Sequence, residues 1–222
     1  YSAQSKGGMG KKGITTREED TVTDVFTAST HDNLLFFTDT GKVYRKKGYQ
    51  VPESGKTARG SNIVNLIQVE PGERVQTMLH YRPGTEETLF LTMVTRNGTV
   101  KRLPVETLKN LKNIGIRALT LEEGDALIAV KETDGSQNIL IATHDGQAIC
   151  FAEDEVRPTG RTSMGVRGIR LKDGDYVVGA GRAREGFQVL SITEKGYGKR
   201  TPVEEYRLTG RGGLGIRNYM VT

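Results

Sequence analysis

Glycine-rich segments that carry lysine and arginine recur at five places in the 222-residue chain, and their residue types and spacing could support binding chemistry. Their recurring glycines are 50, 55, 50 and 50 residues apart, at Gly10, Gly60, Gly115, Gly165 and Gly215. Basic side chains bind phosphates through charge-assisted hydrogen bonds, and glycine lets an anion approach backbone N–H groups. The spacing therefore predicts repeated phosphate-binding segments that follow duplex DNA without reading its bases.

The predicted DNA-binding side chains fall into two groups. The glycine segments contribute Lys6, Lys11, Lys12, Lys56, Arg59, Lys112, Arg117, Arg161, Arg167, Arg170, Arg211 and Arg217. The strands predicted to follow tight turns contribute Lys46, Lys101, Arg102, Lys199 and Arg200. A solvated surface explains any single lysine or arginine equally well, but five segments in register favour a shared function.

The charge balance agrees with an acidic partner without requiring one. The chain has 32 basic and 27 acidic residues, a net charge of +5 and an isoelectric point near 9.3. A moderate excess of this kind also serves solubility. Acidic residues concentrate away from the basic segments, in the turns EPGE at 70–73, EEGD at 122–125 and KDGD at 172–175.

Other patterns that resemble chemistry fail on their context. The G-x-G-x-x-G match at 210–215 precedes a predicted strand, whereas a dinucleotide site needs a helix there. The three histidines, His31, His80 and His144, are isolated in sequence and predict no metal site. The single cysteine, Cys150, excludes an internal disulfide and fits a reducing cytoplasm. We expect no catalytic residue and no cofactor in this chain.

Four β-hairpins are predicted to position the basic segments. In each, an apolar run is followed by Thr, two residues and a turn glycine, and the four glycines are Gly41, Gly98, Gly146 and Gly196. Apolar residues on both sides of an Asp-Gly or Asn-Gly type turn are typical of a hairpin. Apolar runs also follow the glycine segments, as in IVNLIQV at 63–69 and IRALTL at 116–121, and we expect them to be strands.

The repeat as a whole predicts an all-β propeller. One unit reads strand, hairpin, basic glycine segment, strand and acidic turn, or four antiparallel strands in about fifty residues. The predicted blades are 21–73, 74–125, 126–175 and 176–222, and residues 1–20 are expected to be the tail of a preceding blade. A series of separate β-sandwiches is the structural alternative.

The chain resembles the C-terminal, DNA-wrapping domain of the DNA gyrase A protein. The resemblance is carried by FFTDTGKVYRKK at 36–47, TGRTSMGVRGI at 159–169, TEKGYGKR at 193–200 and TGRGGLGI at 209–216. It implies a β-pinwheel, a six-bladed propeller variant in which neighbouring blades exchange a strand, of which this chain would lack the opening strands and the last blade. It also implies a monomeric bacterial domain in the cytoplasm, associated with the nucleoid. Double-stranded DNA and the other parts of an A2B2 holoenzyme would be its partners, and ATP and magnesium would be used elsewhere in that enzyme.

The family also has a basic box reading Gln, two basic residues, Gly-Gly, a basic residue and Gly. By resemblance the DNA-binding residues here would include Gln4, Lys6, Gly7, Gly8 and Gly10. Ser5 and Met9 stand where the family has basic residues. A degenerate box is also typical of topoisomerase IV, which bends DNA without wrapping it fully. Three functions therefore stay open: gyrase-type wrapping, topoisomerase IV-type bending, and a protein-interaction propeller.

Overall fold

The computed structural model describes residues 6–9, 21–56, 58–111 and 114–221. These ranges contain fourteen strands, six short 3-10 helices and no α-helix. The 3-10 helices are Gly48–Gln50, Ile63–Asn65, Glu86–Thr88, Val105–Leu108, Glu153–Glu155 and Val203–Glu205. No helix in the described ranges is long and apolar enough to cross a membrane.

All four predicted hairpins are confirmed. They are β1 (Asn33–Thr38) with β2 (Lys42–Lys47), β4 (Phe90–Thr95) with β5 (Thr99–Pro104), β8 (Asn138–Thr143) with β9 (Gln147–Ala152), and β12 (Gln188–Ile192) with β13 (Gly198–Pro202).

The recurring threonine and glycine of the hairpins have a common structural role. The hydroxyl of each threonine accepts the backbone N–H four residues later, at 3.3 Å from Lys42 to Thr38 and 3.2 Å from Thr99 to Thr95. The turn glycine adopts a positive φ, 83° at Gly41 for example, which other residues rarely tolerate. The Thr-x-x-Gly pattern therefore specifies the turn itself.

Three of the four sheets have four antiparallel strands. The remaining strands are β3 (Val75–Tyr81), β6 (Ile116–Arg117), β7 (Leu127–Thr133), β10 (Val166–Arg167), β11 (Val177–Ala183) and β14 (Ile216–Arg217). The sheet orders are β3-β1-β2-β6, β7-β4-β5-β10, β11-β8-β9-β14 and β12-β13. In each larger sheet a hairpin is flanked by a seven-residue strand that follows an acidic turn and by a two-residue strand that lies within the basic segment of the following unit.

The predicted blade boundaries do not coincide with these sheets. Each four-stranded sheet joins the hairpin of one sequence unit to two outer strands of the next unit, as β1 and β2 join β3 and β6. The fourth sheet has two strands in the described residues, not the four predicted. Exchange of strands between neighbours, which the resemblance implied, is the physical reason that a linear division of the sequence misplaces the blade limits.

The predicted strand at 63–69 is wrong. This run contains the 3-10 helix Ile63–Asn65, whereas the corresponding runs form β6, β10 and β14. Each short strand pairs with the second strand of the hairpin one unit earlier, not with the hairpin of its own unit. For the run at 63–69 that hairpin would lie before residue 33, and the described residues contain none there. Without a partner for its backbone groups, an apolar run does not form a strand.

The hydrophobic core lies between successive sheets. One cluster joins Leu35 and Phe37 of β1 to Leu91 and Met93 of β4. A second cluster joins Val100 of β5 to residues of the third sheet, including Ile141, Ile149 and Phe151. Because neighbouring sheets share their buried faces, each sheet fixes the position of the next.

The recurring glycine is required by packing in three basic segments, whereas a Cβ atom at Gly60 would meet no atom within 4 Å. A Cβ atom would lie 2.4 Å from the Tyr44 ring at Gly115, 2.5 Å from the Val100 carbonyl at Gly165 and 2.2 Å from the Ala148 carbonyl at Gly215. These distances are shorter than any ordinary contact, so each of the three segments approaches the hairpin one unit earlier only where a side chain is missing. Exposure of the backbone to phosphate is therefore not needed to explain these three glycines.

We expect Gly165→Ala to lower the free energy of unfolding by at least ~1 kcal/mol, since this glycine combines a collision with a φ of +88°. Gly160→Ala is the matched control in the same segment, because no atom lies within 4 Å of the position that its Cβ would occupy and its φ is not positive. Urea unfolding of both variants measures the difference. Equal stability of the two variants would contradict the packing explanation.

Candidate nucleic-acid interface

Three basic segments lie side by side in the structure. We call the segments 114–120, 157–170 and 207–217 together the basic row. The backbone N–H of Thr120 donates to the Ser163 carbonyl at 3.1 Å, joining the first segment to the second. Gly212 donates to the Gly168 carbonyl and Arg170 to the Gly213 carbonyl, both at 2.7 Å, joining the second to the third. Segments about fifty residues apart in sequence are therefore direct neighbours.

Hairpins that lie one unit earlier in the sequence hold the three segments in the same register. Arg117, Arg167 and Arg217 are each the last residue of a two-residue strand, and they pair with Lys42, Thr99 and Gln147, the first residues of β2, β5 and β9. The three arginines are all exposed. The equivalent positions inferred from the repeat are thus equivalent positions in the fold.

Most of the predicted DNA-binding residues that the structure describes are open to solvent. Lys46 is partly exposed, and the exposed residues are Lys6, Gly7, Gly8, Lys56, Arg59, Arg117, Arg161, Arg167, Arg170, Lys199, Arg200, Arg211 and Arg217. None of these cations forms an ion pair with a described carboxylate. Their charge is therefore not neutralised by a described carboxylate at salt-bridge distance.

The structure brings together only part of the predicted set. Arg161, Arg167 and Arg170 lie in the middle segment of the basic row. Arg117 lies in the segment on one side of it, and Arg211 and Arg217 lie in the segment on the other side. Lys199 and Arg200 lie on β13, and no described hydrogen bond joins Lys56 or Arg59 to the row. Five predicted residues lie outside the described residues: Gln4, Gly10, Lys11, Lys12 and Lys112.

Lys101 does not fit the predicted DNA contact, because its side chain is buried. It is 1% exposed, and its Nζ donates to the carbonyls of Ala118, Arg161 and Ser163 at 2.7, 2.9 and 3.1 Å. A buried ammonium group needs such acceptors to offset its desolvation. Lys101 therefore joins the segments 114–120 and 157–170 of the basic row through buried hydrogen bonds.

Arg102 is also buried and is likewise removed from the predicted interface. It is 6% exposed, its Nε donates to the Val156 carbonyl at 2.8 Å, and its guanidinium lies 3.5 Å from the Glu153 carboxylate. Arg211 is exposed yet has a similar holding function, because it donates to the carbonyls of Glu155 and Arg167 at 3.0 and 3.1 Å. The basic segment at 157–170, which belongs to the next unit, covers the strand that carries Lys101 and Arg102. The sequence of that strand alone does not reveal this.

The acidic turns have a structural role that the sequence did not reveal. The last residue of each acidic turn accepts hydrogen bonds from the neighbouring hairpin turn. Asp125 accepts the N–H of Asn97 at 2.9 Å, Asp175 that of Asp145 at 3.0 Å, and Glu73 the hydroxyl of Thr38 at 2.6 Å. The recurrence of these acidic turns at one place in each unit was the sequence signal that could have indicated this role.

Strand-exchanged antiparallel sheets with cations in a common register define an all-β repeat domain of the propeller class. The family model described as "DNA gyrase C-terminal domain, beta-propeller" matches residues 1–29, 32–80, 90–134, 137–184 and 188–221. The chain belongs to this family.

Individual relatives agree with the family assignment. The chain is 43% identical to the DNA gyrase A protein of Clostridium acetobutylicum over 164 residues, which is 74% of this chain and 20% of the relative. A crystal structure of the C-terminal domain of DNA topoisomerase IV is similar with a TM-score of 0.78 and 27% identity, covering 85% of this chain and 58% of that chain. A structure of a DNA gyrase A C-terminal domain has a TM-score of 0.72 and 26% identity, covering 85% and 60%. The chain thus spans about a fifth of the length of the curated relative.

We expect Lys101 to make stability depend on pH. Burial lowers the pKa of Lys101 to about 8, whereas lysine in an unfolded chain has a pKa of about 10.4. Between these values the unfolded chain binds more protons, so the free energy of unfolding rises with pH. The stability of the wild-type chain relative to Lys101→Met should therefore increase between about pH 7 and about pH 10, as measured by urea unfolding. Other groups titrate in both proteins, so a constant difference would contradict this assignment.

Proposed function

We propose that this domain binds double-stranded DNA through the basic row, without catalytic residues of its own, as part of a type II topoisomerase of the gyrase kind. The observation that carries the proposal is the common register of Arg117, Arg167 and Arg217 on three hydrogen-bonded segments. Their DNA contacts would be to phosphates, and binding would therefore tolerate any base sequence.

The electrostatics of the row suit a polyanion better than a single small anion. Duplex DNA carries one charge per ~1.7 Å of its axis, so a row of separated cations can contact successive phosphates. Arg161, Arg167 and Arg170 are exposed on one segment, and backbone hydrogen bonds hold that segment between its neighbours. The backbone that carries these cations is therefore already ordered, so DNA binding would cost little backbone conformational entropy.

The relatives support a proposal for the partners and the cellular setting. The curated relatives are gyrase A proteins, so we propose that the domain acts with the rest of such a protein and with the gyrase B protein in an A2B2 enzyme in the cytoplasm. The ATP and magnesium that supercoiling requires would be used outside this domain. Wrapping that supports negative supercoiling is the proposed function, and bending without full wrapping is the alternative that Ser5 and Met9 in the box keep open.

We expect the triple variant Arg161→Glu, Arg167→Glu and Arg170→Glu to lose DNA affinity by at least ~10-fold at low salt, since three phosphate contacts become repulsive. The slope of log affinity against log salt should also fall by about 3 × 0.9. Binding of a fluorescent duplex over a salt series measures both quantities.

A matched control reverses the charge of three other exposed arginines, Arg74, Arg82 and Arg184, which lie outside the basic row. The net charge of the two triple variants is the same, so a general charge effect predicts equal losses. Equal losses, or unchanged DNA retention in the row variant, would favour the protein-interaction alternative.

Wrapping is tested separately by ligating nicked circular DNA with the domain bound. We expect the linking number of the closed circles to shift, because wrapped DNA stores writhe that ligation fixes. A variant with Ser5→Arg and Met9→Arg restores the cations of the box and should enlarge the shift. No shift with either protein, despite saturated binding, would overturn wrapping. An equal shift with both proteins would mean that the box does not limit it.

A further inference from the structure

The turn between β8 and β9 brings a histidine and two aspartates together. His144 and Asp145 belong to this turn, and Asp175 ends the acidic turn that precedes β11. The imidazole Nδ1 of His144 lies 2.9 Å from Oδ1 of Asp145. One metal-binding atom from each of the three residues lies within 4.8 Å of the others. The separation of Asp175 from the other two in sequence hid this group.

Asp175 supplies an independent sign that a ligand belongs in this group. The residue is 9% exposed, and its Oδ1 accepts the N–H groups of Asp145 and Tyr176 at 3.0 and 2.8 Å. Its Oδ2 is buried and has no hydrogen-bond partner in the described chain. A buried carboxylate oxygen without a donor is unfavourable, and a bound cation would satisfy it.

The surroundings of the imidazole favour a cation as well. Carboxylate oxygens of Asp145 and Asp175 lie within 4.8 Å of a ring nitrogen of His144. Glu194, in the turn of the β12–β13 hairpin, places Oε1 3.8 Å from Nε2 of His144. The ring also stacks on Tyr176, with centroids 4.7 Å apart, which restricts its orientation. Three carboxylates therefore lie near a nitrogen ligand whose orientation is restricted by stacking.

We propose that His144, Asp145 and Asp175 form a binding site for a divalent transition-metal cation of the zinc class. One imidazole nitrogen with carboxylate oxygens is a ligand set that zinc accepts, whereas magnesium and calcium prefer oxygen ligands alone. Water would complete the coordination. The corresponding turn of the preceding unit has Arg96 and Asn97 in place of His144 and Asp145. The ligand set is therefore not repeated in that unit.

A bound cation would join the β8–β9 turn to the acidic turn before β11. These two segments already share the hydrogen bond from Asp145 to Asp175. Metal coordination would add contacts that exist only in the folded chain, so binding would raise the thermal stability.

The test uses the whole 222-residue chain after treatment with a chelator. Titration calorimetry with Zn²⁺ should show one equivalent bound, and the melting temperature should rise with Zn²⁺ but not with the same concentration of Mg²⁺. His144→Gln removes the nitrogen ligand and should weaken Zn²⁺ binding by at least ~10-fold. Binding of Co²⁺, followed by its visible absorption, should be weakened in the same variant.

The matched control is His80→Gln. His80 pairs with Asp32 at 3.2 Å, but no third metal-binding residue joins them in the described chain. This control should retain the Zn²⁺ affinity and the thermal shift of the wild-type chain. The proposal would be overturned by an absence of stoichiometric binding, by full affinity in His144→Gln, or by equal loss of affinity in both variants.

Discussion

Backbone pairing between the three segments of the basic row and the hairpins one unit earlier is the constraint on which the rest of the structure depends. The two-residue strands β6, β10 and β14 pair with β2, β5 and β9, and glycine is required where the chains approach most closely. Because the same pairing is repeated three times, the arginines on these strands share a register. The positions of the charges are thus a consequence of backbone hydrogen bonds and packing.

Hairpins and turns could be predicted because their causes are local. The apolar runs, the threonine that accepts a hydrogen bond and the glycine with positive φ all lie within about ten residues of each other. The run at 63–69 resembles the others in composition, yet it contains a 3-10 helix, and the described residues hold no hairpin one unit earlier for it to pair with. Sequence alone indicates the tendency to form a strand, whereas pairing depends on a segment tens of residues away.

The Lys-Arg pairs of β5 and β13 show the same limit for the binding residues. Lys101-Arg102 and Lys199-Arg200 occupy the same place after the turn glycine, and the sequence predicted one function for both. In the structure the first pair is buried and the second is exposed, because the basic segment of the next unit covers β5. Identical residues at one repeat position thus hold the scaffold in one unit and face solvent in another.

Strand exchange also sets an order for folding during synthesis. The pairing of Val43 with Ile116 closes the edge of the first sheet only after the second hairpin has been made. Chains are synthesised from the N-terminus at ~5–20 residues per second, so the first hairpin waits several seconds for its last partner. The edge of β2 is unpaired throughout that interval. The second strands of the next two hairpins, β5 and β9, likewise remain unpaired at one edge until the following unit has been synthesised. The growing chain therefore always carries one unfinished sheet behind the most recent unit.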